Sequence, residues 1–553
     1  MNTAAAGLMP QGTLSCRFAA IHLVRSAQRG SSLQPIAFRL SLMLLDKPCI
    51  GAVCQITDLD STAKVGARRP PFQGLPRSKY ASVLNRVHYS PPIGKTNCAF
   101  IGKLRSAFDG IILPSAEYPV LGGDDMPNAV LERVAAALWG PFTLALLLLT
   151  GLFIAFKTKF YPVRGMPRAV FDTIFAKGEE GSVSPALSLC SALAATMGTG
   201  NIVGVATAVS AGGAGALFWM EVSAIAGMMI KYAEASLAVK HRKLGAGPLG
   251  YLRRLGKSGN TLSALFALIC LLAALLTGNM TQSNSAAQAL KLFDISPWLC
   301  AFLFACAAWL MTGAKESGLM RLTALFITPL TLFYLILCAL VVWNCRSLLP
   351  NVFADIFASA FGIDSIFGAV GGCVMRDAVR YGLSRGIFSN EAGMGTSPIA
   401  YSLSNNFSAE KQGCLGSAEV FIDTTVCCTL TGLVLLLSNA DPSADGAQFA
   451  INAFAAALGE KAGIAAALMI ALFALASVCG WYIYGILSLK RLIPKSENAL
   501  RLYRILYALF AGAGVFLQVK TIWLVSDILT GLMLMINLCG VIMLFLFSKT
   551  SIS

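Results

Sequence analysis

Charge is scarce in this chain. Only 13% of its 553 residues are Asp, Glu, Lys or Arg, against about 25% in soluble domains. That deficit excludes an ordinary soluble enzyme and points to lipid as the solvent. Histidine is scarcer still, at three. His22, His88 and His241 are scattered, which argues against a histidine metal site. Cysteine is plentiful, at 16, but no pair has metal spacing. Cys190, Cys270, Cys306, Cys338, Cys427, Cys428 and Cys479 lie in apolar runs, where they read as small packing residues. No Ser/His/Asp grouping and no His-Glu-x-x-His stretch offers the chemistry a membrane-embedded enzyme would need, so no enzyme is expected.

Apolar sequence is what the chain has in abundance, with 56% of residues hydrophobic. Runs of about 20 such residues are long enough to cross a bilayer core. The formal charge of +16 does not imply a nucleic-acid partner. The basic residues sit in short loops between apolar runs, where the positive-inside rule puts them, and form no continuous stripe. No obligate protein partner is evident.

Residues 1–125 differ in kind. Arg, Pro, Ser and Gly are mixed with short apolar bursts such as 40–45, and no segment reaches spanning length. Arg17 and Arg25 interrupt the stretch that a signal peptide would need. Two readings stand: upstream sequence read through, with translation starting near Met126, or a disordered tail. The transporting domain is expected over 126–553.

From Met126 onward the sequence predicts eleven transmembrane helices in an all-α membrane protein. They lie near 136–156, 184–211, 214–239, 261–289, 298–313, 320–343, 381–403, 414–438, 462–489, 500–518 and 522–547. If the first starts outside, 20 Lys and Arg fall in inside loops and the inside tail, against 7 outside. The asymmetry predicts an outside N-terminus and a cytoplasmic C-terminus, in a bacterial inner membrane.

Two of these helices carry matching breaks. The second holds Met197, Gly198, Thr199, Gly200 and Asn201. The seventh reads Phe388-Ser-Asn-Glu-Ala-Gly-Met-Gly-Thr-Ser-Pro398. Each glycine weakens a helix by about 1 kcal/mol relative to alanine, so paired glycines amid polar residues mark places where a buried helix can unwind. Lipid offers no hydrogen-bond partners, so the freed backbone must be satisfied by protein, ion or substrate. Half-helix N-termini suit a carboxylate, and freed carbonyls suit a cation. The breaks are five spans apart. Repeat one (about 184–343) and repeat two (about 381–547) therefore cross in opposite senses.

At these residues the chain resembles the alanine or glycine:cation (sodium) symporters. The likeness rests on Met197-Gly-Thr-Gly-Asn-Ile-Val-Gly-Val-Ala206, Gly215-Ala-Leu-Phe-Trp219, Lys231-Tyr-Ala-Glu234, Gly278-Asn-Met-Thr-Gln282, Arg385-Gly-Ile-Phe-Ser-Asn-Glu-Ala-Gly393, Phe421-Ile-Asp-Thr424, Gly480-Trp481 and residues 527–537. It covers about 130–548. The resemblance implies a leucine-transporter-like fold of two inverted five-helix repeats plus one N-terminal helix. It further implies uptake of alanine, glycine or a close relative driven by sodium, sometimes by protons. Three features depart from the family pattern: Glu221 where an aromatic or apolar residue is usual, Ser477 for threonine, and the loop 179–184.

The residues then take candidate roles. Thr196, Gly198, Thr199, Gly200, Gln282, Gly393, Gly395 and Trp481 are candidates to bind substrate. Gln282 reads equally as glue between helices, and Trp481 as a packing residue. Carbonyls of Ala194 and Met197, with the side chains of Asn201 and Ser477, are candidates for sodium, a hard cation that prefers oxygen. Asn201 reads alternatively as an interhelical amide bond. Lys231, Glu234, Arg385, Asn390, Glu391 and Asp423 are candidates for gating or coupling. Lys231 and Glu234, at i and i+3, are expected to pair. Glu391 needs a partner inside a membrane; Arg385, six residues earlier, is too far along an intact helix for side-by-side contact, but its long side chain could reach. No cofactor is expected beyond sodium as the coupling ion. A proton-coupled carrier of the same fold is the alternative.

Overall fold

In the computed structural model the described residues are 126–174, 185–313, 316–362, 369–403, 408–444 and 446–547. The N-terminal extension and the loop 179–184 lie outside them. Among the described residues all regular structure is helical.

The first span consists of α1 (Met126–Leu138) and α2 (Pro141–Lys157). Pro141 restarts the helix at its first position, where its missing N–H is no loss. The amphipathic α3 (Met166–Ile174) follows. Then comes a set of five: a broken span made of α4 (Pro185–Thr196) and α5 (Val203–Gly212), the long α6 (Gly215–Lys240), a span made of α7 (Gly256–Leu275) and α8 (Thr281–Leu290), α9 (Pro297–Met311) and α10 (Glu316–Asn344). A short connecting helix, α11 (Leu349–Phe361), leads to the second set. That set repeats the order: a broken span of α12 (Ala369–Asn390) and α13 (Ser397–Tyr401), a span of α14 (Ala409–Val420) and α15 (Thr429–Leu437), the connecting α16 (Gly446–Leu458), then α17 (Glu460–Leu492), α18 (Glu497–Ala513) and α19 (Val519–Phe547).

Each of the eleven expected spans coincides with a helix or helix pair. Among the described residues, eight helical stretches are long and apolar enough to cross a membrane by themselves, nine with the bent pair α4–α5. The exceptions have clear causes. The helix α9 has only 15 residues, and α12 carries Arg376, Asp377, Arg380 and Arg385. The stretches expected as loops after α10 and α15 hold the helices α11 and α16.

Packing separates the spans into two groups. The helix α6 lies against α12 and α14, and α5 against α12, so the broken spans and their followers form one bundle. Both α7 and α8 pack on α17, and α9 packs on α18, which makes a second framework. Hydrophobicity is distributed as lipid demands. Large apolar side chains such as Trp298, Phe302, Leu310, Leu325 and Leu332 are exposed on α9 and α10. The interior instead buries polar residues of the broken spans and of α14. Between helices that gain nothing from leaving lipid, small residues allow the close approach that drives association. A Cβ on Gly480 of α17 would lie 2.6 Å from that of Ala195 on α4.

Caps mark several helix starts. The Ser296, Ser408 and Ser496 hydroxyls accept from the N–H of Leu299, Lys411 and Ala499, each at 3.2 Å. Next to the second of these, Lys411 meets Asp172 of α3 at 2.8 Å and holds that carboxyl below the ordinary carboxylate range.

Candidate functional site

The first break begins where α4 ends. The chain turns through 61° between α4 and the stretch Thr199–Gly212. Gly198 is extended, at φ −122° and ψ −152°, which stops the helical ladder, and Thr199–Asn201 form a single 3₁₀ turn leading to α5. The Asn201 Oδ1 accepts from the Gly198 N–H at 3.2 Å. From the framework, Gln282 Oε1 accepts from both the N–H and the hydroxyl of Thr199, at 3.1 and 2.9 Å. The glutamine therefore fixes the break to α8.

The second break is looser. The helix α12 stops at Asn390, and Glu391, Gly393 and Gly395 take positive φ of 53°, 82° and 78°. Left-handed backbone suits the two glycines but is uncommon for glutamate. Side chains satisfy the freed main chain. The Asn390 Oδ1 accepts from the Ala392 N–H at 2.9 Å. Glu234 Oε2 accepts from the Gly393 N–H at 3.2 Å, and Asn537 donates to the Gly393 carbonyl at 2.8 Å. Asn537 also donates to Glu234 and accepts from Tyr251. The Thr396 hydroxyl donates to Glu391.

Two expected contacts are corrected here. Lys231 does not pair with Glu234, although both lie on one helix face. Glu234 is turned to the break. Lys231 is fully buried, donates to Ser397 at 2.9 Å and lies 3.7 Å from Glu419. Gly416, a turn before Glu419 on α14, leaves room for the lysine stem, which a Cβ there would meet at 3.0 Å. Glu419 also accepts from Ser397 and Tyr401, each at 2.7 Å. Arg385 does not reach Glu391 either. It makes a two-pronged ion pair with Asp527 of α19, at 2.6 and 2.9 Å, and lies over the Trp523 ring at 5.0 Å.

Between the breaks lies a small pocket. Ala195, Thr196 and Gly200 line it from the first break; Phe388, Glu391 and Met394 from the second; Thr277, Gln282 and Trp481 from the framework. The expected substrate residues Thr196, Gly200, Gln282 and Trp481 thus converge, and Gly198 and Thr199 adjoin them. Gly393 and Gly395 face elsewhere, towards Leu534, Asn537 and Pro248.

The candidate cation ligands divide into two places. Ser477 Oγ donates to the Ala195 carbonyl at 3.3 Å and lies against Gly198. Met197 is beside Thr331 on α10, and Ala194 is buried in the bundle. Asn201 belongs to a different cluster. Its amide donates to Asp423 Oδ1 at 2.8 Å, while Ser389 and Thr424 donate to Oδ2 at 2.8 and 3.0 Å. Asn390 donates to Thr424 at 3.2 Å. Asp423 is fully buried, and no described Lys or Arg pairs with it. It sits in a π-helical stretch, Phe421–Cys428, a form that often marks functional positions. Glu221, the departure from the family pattern, accepts from Thr429 at 2.7 Å beside this stretch.

Sequence reasoning missed Ser389 and Thr424, which neighbour the singled-out Asn390 and Asp423. It also missed Thr277, Phe388, Met394, Asn537 and Glu419. Intramembrane acidity could have flagged Glu419; nothing in the pattern marks Thr277.

Comparisons with known proteins agree with this geometry. A family model described as the sodium:alanine symporter family matches residues 124–553. The sodium/alanine symporter AgcS of Methanococcus maripaludis is 37% identical over 442 residues, 75% of this chain and 94% of that protein. The probable sodium/glutamine symporter GlnT of Bacillus subtilis is 31% identical over 436 residues, 76% of this chain and 89% of that protein. Among solved structures, a mutant manganese transporter of Eremococcus coleocola superposes with a TM-score of 0.51 at 14% identity, covering 67% of this chain and 82% of that one. That likeness concerns the fold, which is leucine-transporter-like. The chain is a multi-pass membrane transporter and not an enzyme, and it belongs to the sodium:alanine symporter family.

Proposed function

We propose that this transporter carries a small neutral amino acid, alanine or glycine, into the cell together with sodium by alternating access. The observation that carries the reading is the convergence of both broken helices on one small, polar-lined pocket. The outer half-helix beginning at Thr199, whose own N–H is held by Gln282, presents the next N–H groups, of Gly200 and Asn201, which suit a carboxylate. The Glu391 carboxylate across the pocket suits an ammonium group. Trp481 and Phe388 close the space to larger side chains.

The coupling cation has two candidate positions. Asp423 with Asn201, Ser389 and Thr424 supplies a buried negative charge and oxygen donors at the junction of both breaks. Ser477 with the Ala195 carbonyl supplies a neutral one. Sodium fits both by its preference for oxygen. A proton-coupled carrier is the second reading. It is favoured by the burial of Glu391 and Asp423 with no ion-paired Lys or Arg among the described residues, since a proton would neutralise either carboxylate.

The test is uptake of labelled alanine and glycine by inner-membrane vesicles from a transport-deficient host. Sodium coupling requires saturable uptake that collapses when choline replaces sodium. Uptake that follows an imposed pH gradient in choline would establish the proton reading instead. The proposed orientation, N-terminus outside and C-terminus cytoplasmic, is tested by labelling single cysteines placed in the loops.

A further inference from the structure

The pocket contains two hydroxyl groups, and their situations differ. Thr196 Oγ1 donates back to its own helix, to the carbonyls of Ala192 and Leu193 at 3.2 and 3.3 Å. Thr277 Oγ1 is buried, the residue being only 2% exposed, and has no hydrogen-bond partner among the described residues. The amide and carboxyl groups lining the pocket already have protein partners: Gln282 accepts from Thr199, and Glu391 from Thr396. A buried hydroxyl without a partner is costly, and such a group in a native site calls for an explanation.

The local backbone places it there. Thr277 lies in a π-helical turn, Leu276–Met280, between α7 and α8. The extra residue in such a turn shifts the register of the side chains. The neighbouring Gly278 has no Cβ, and the Trp481 ring lies directly against that position. Thr277 and Trp481 therefore form one wall, polar at one point and apolar beside it.

The proposed function supplies a direction. If the substrate's carboxylate and ammonium groups are held by the two breaks, its side chain points away from both, towards the framework wall. Resting on that reading, we propose that Thr277 is a specificity-determining residue that hydrogen-bonds a hydroxyl on the substrate side chain, so that serine is carried as well as alanine. The methyl of alanine fits the same space but leaves the Thr277 hydroxyl alone. Glycine does the same. A site that hydrogen-bonds a substrate group discriminates against the analogue lacking it, because the protein's own group is then left unpaired.

The experiment measures Vmax/KM for L-serine and L-alanine at saturating sodium, normalised to protein in the membrane. Wild type is expected to carry serine at least as efficiently as alanine. T277V keeps the shape and removes the hydroxyl. It is expected to lower the serine value about ten-fold and the alanine value less than two-fold. T277S should retain the serine preference, and T277A serves in place of the valine variant if that one does not reach the membrane. Equal losses for both substrates, or an unchanged ratio, would overturn the assignment while leaving alanine transport intact. A wild-type protein that carries alanine and excludes serine would overturn it too. Failure of the wild type to carry either would sink the transport reading and this inference together.

Discussion

Asp423 carries the sharpest consequence at the scale of single residues. Its carboxylate accepts from Asn201 of the first break, Ser389 at the edge of the second and its own neighbour Thr424, and no described Lys or Arg pairs with it. D423N would keep the shape and remove the charge that attracts a cation. The sodium concentration for half-maximal uptake is expected to rise at least ten-fold, with the amino-acid KM moving less at saturating sodium. Sodium titration of uptake checks this, and an unshifted curve would remove Asp423 from the cation site. G278A makes a separate prediction. A Cβ there would collide with Trp481, and overpacking typically costs about 1–3 kcal/mol. The ring would be driven into the pocket, so the KM for alanine should rise while the protein still reaches the membrane. Pairing at this scale was only partly legible. Gln282 and Trp481 were visible as polar and aromatic residues at mid-span. Lys231 was visible too, but not its partner, because helix spacing gives neighbours on one helix and says nothing of Glu419 on another. Asn201 was drawn away from Ser477 for the same reason: Asp423, on a π-helical stretch that no residue pattern announces, takes its amide.

At the scale of elements, the Arg385–Asp527 ion pair ties α12 to α19. It does so one turn before Phe388, which lines the pocket. The pair is 7% and 14% exposed, so each charge has lost most of its water. Removing one partner of such a pair typically costs about 3–5 kcal/mol. D527N should free this part of α12 and leave Arg385 uncompensated. A cysteine placed at Gly200 is then expected to react faster with an impermeant thiol reagent from outside. The exchanged pair R385D/D527R should recover part of the wild-type protection. Equal labelling rates in all three proteins would mean that the tie does not hold this part of the pocket wall. The breaks themselves could be read from glycines because unwinding is a local property of backbone. The helices α11 and α16 could not, since short amphipathic segments next to polar loops lack the run of apolar residues that identifies a span.

The whole molecule converts an ion gradient into an amino-acid gradient, and its architecture sets how much. Under the proposed alternating access, substrate and cation cross together when one group of helices rocks on the other. A neutral zwitterion contributes no charge to that step, and each sodium contributes one. A potential of 100 mV, negative inside, is worth about 2.3 kcal/mol per charge, or about 50-fold in the accumulation ratio per sodium carried. The ratio therefore counts ions. Proteoliposomes clamped at 0 and at −100 mV with a potassium ionophore, under equal sodium gradients, should differ about 50-fold in alanine accumulated at steady state if one sodium accompanies each alanine. Occupation of both candidate positions, at Asp423 and at Ser477, would make the difference about 2,500-fold, the square of that factor. If the Asp423 carboxylate instead moves with its charge through the cycle and neutralises its own sodium, the accumulation ratio is unchanged, because the protein returns empty and carries that charge back. Steady-state accumulation thus reports stoichiometry alone, and a ratio that ignores voltage would rule out net movement of any cation with the amino acid.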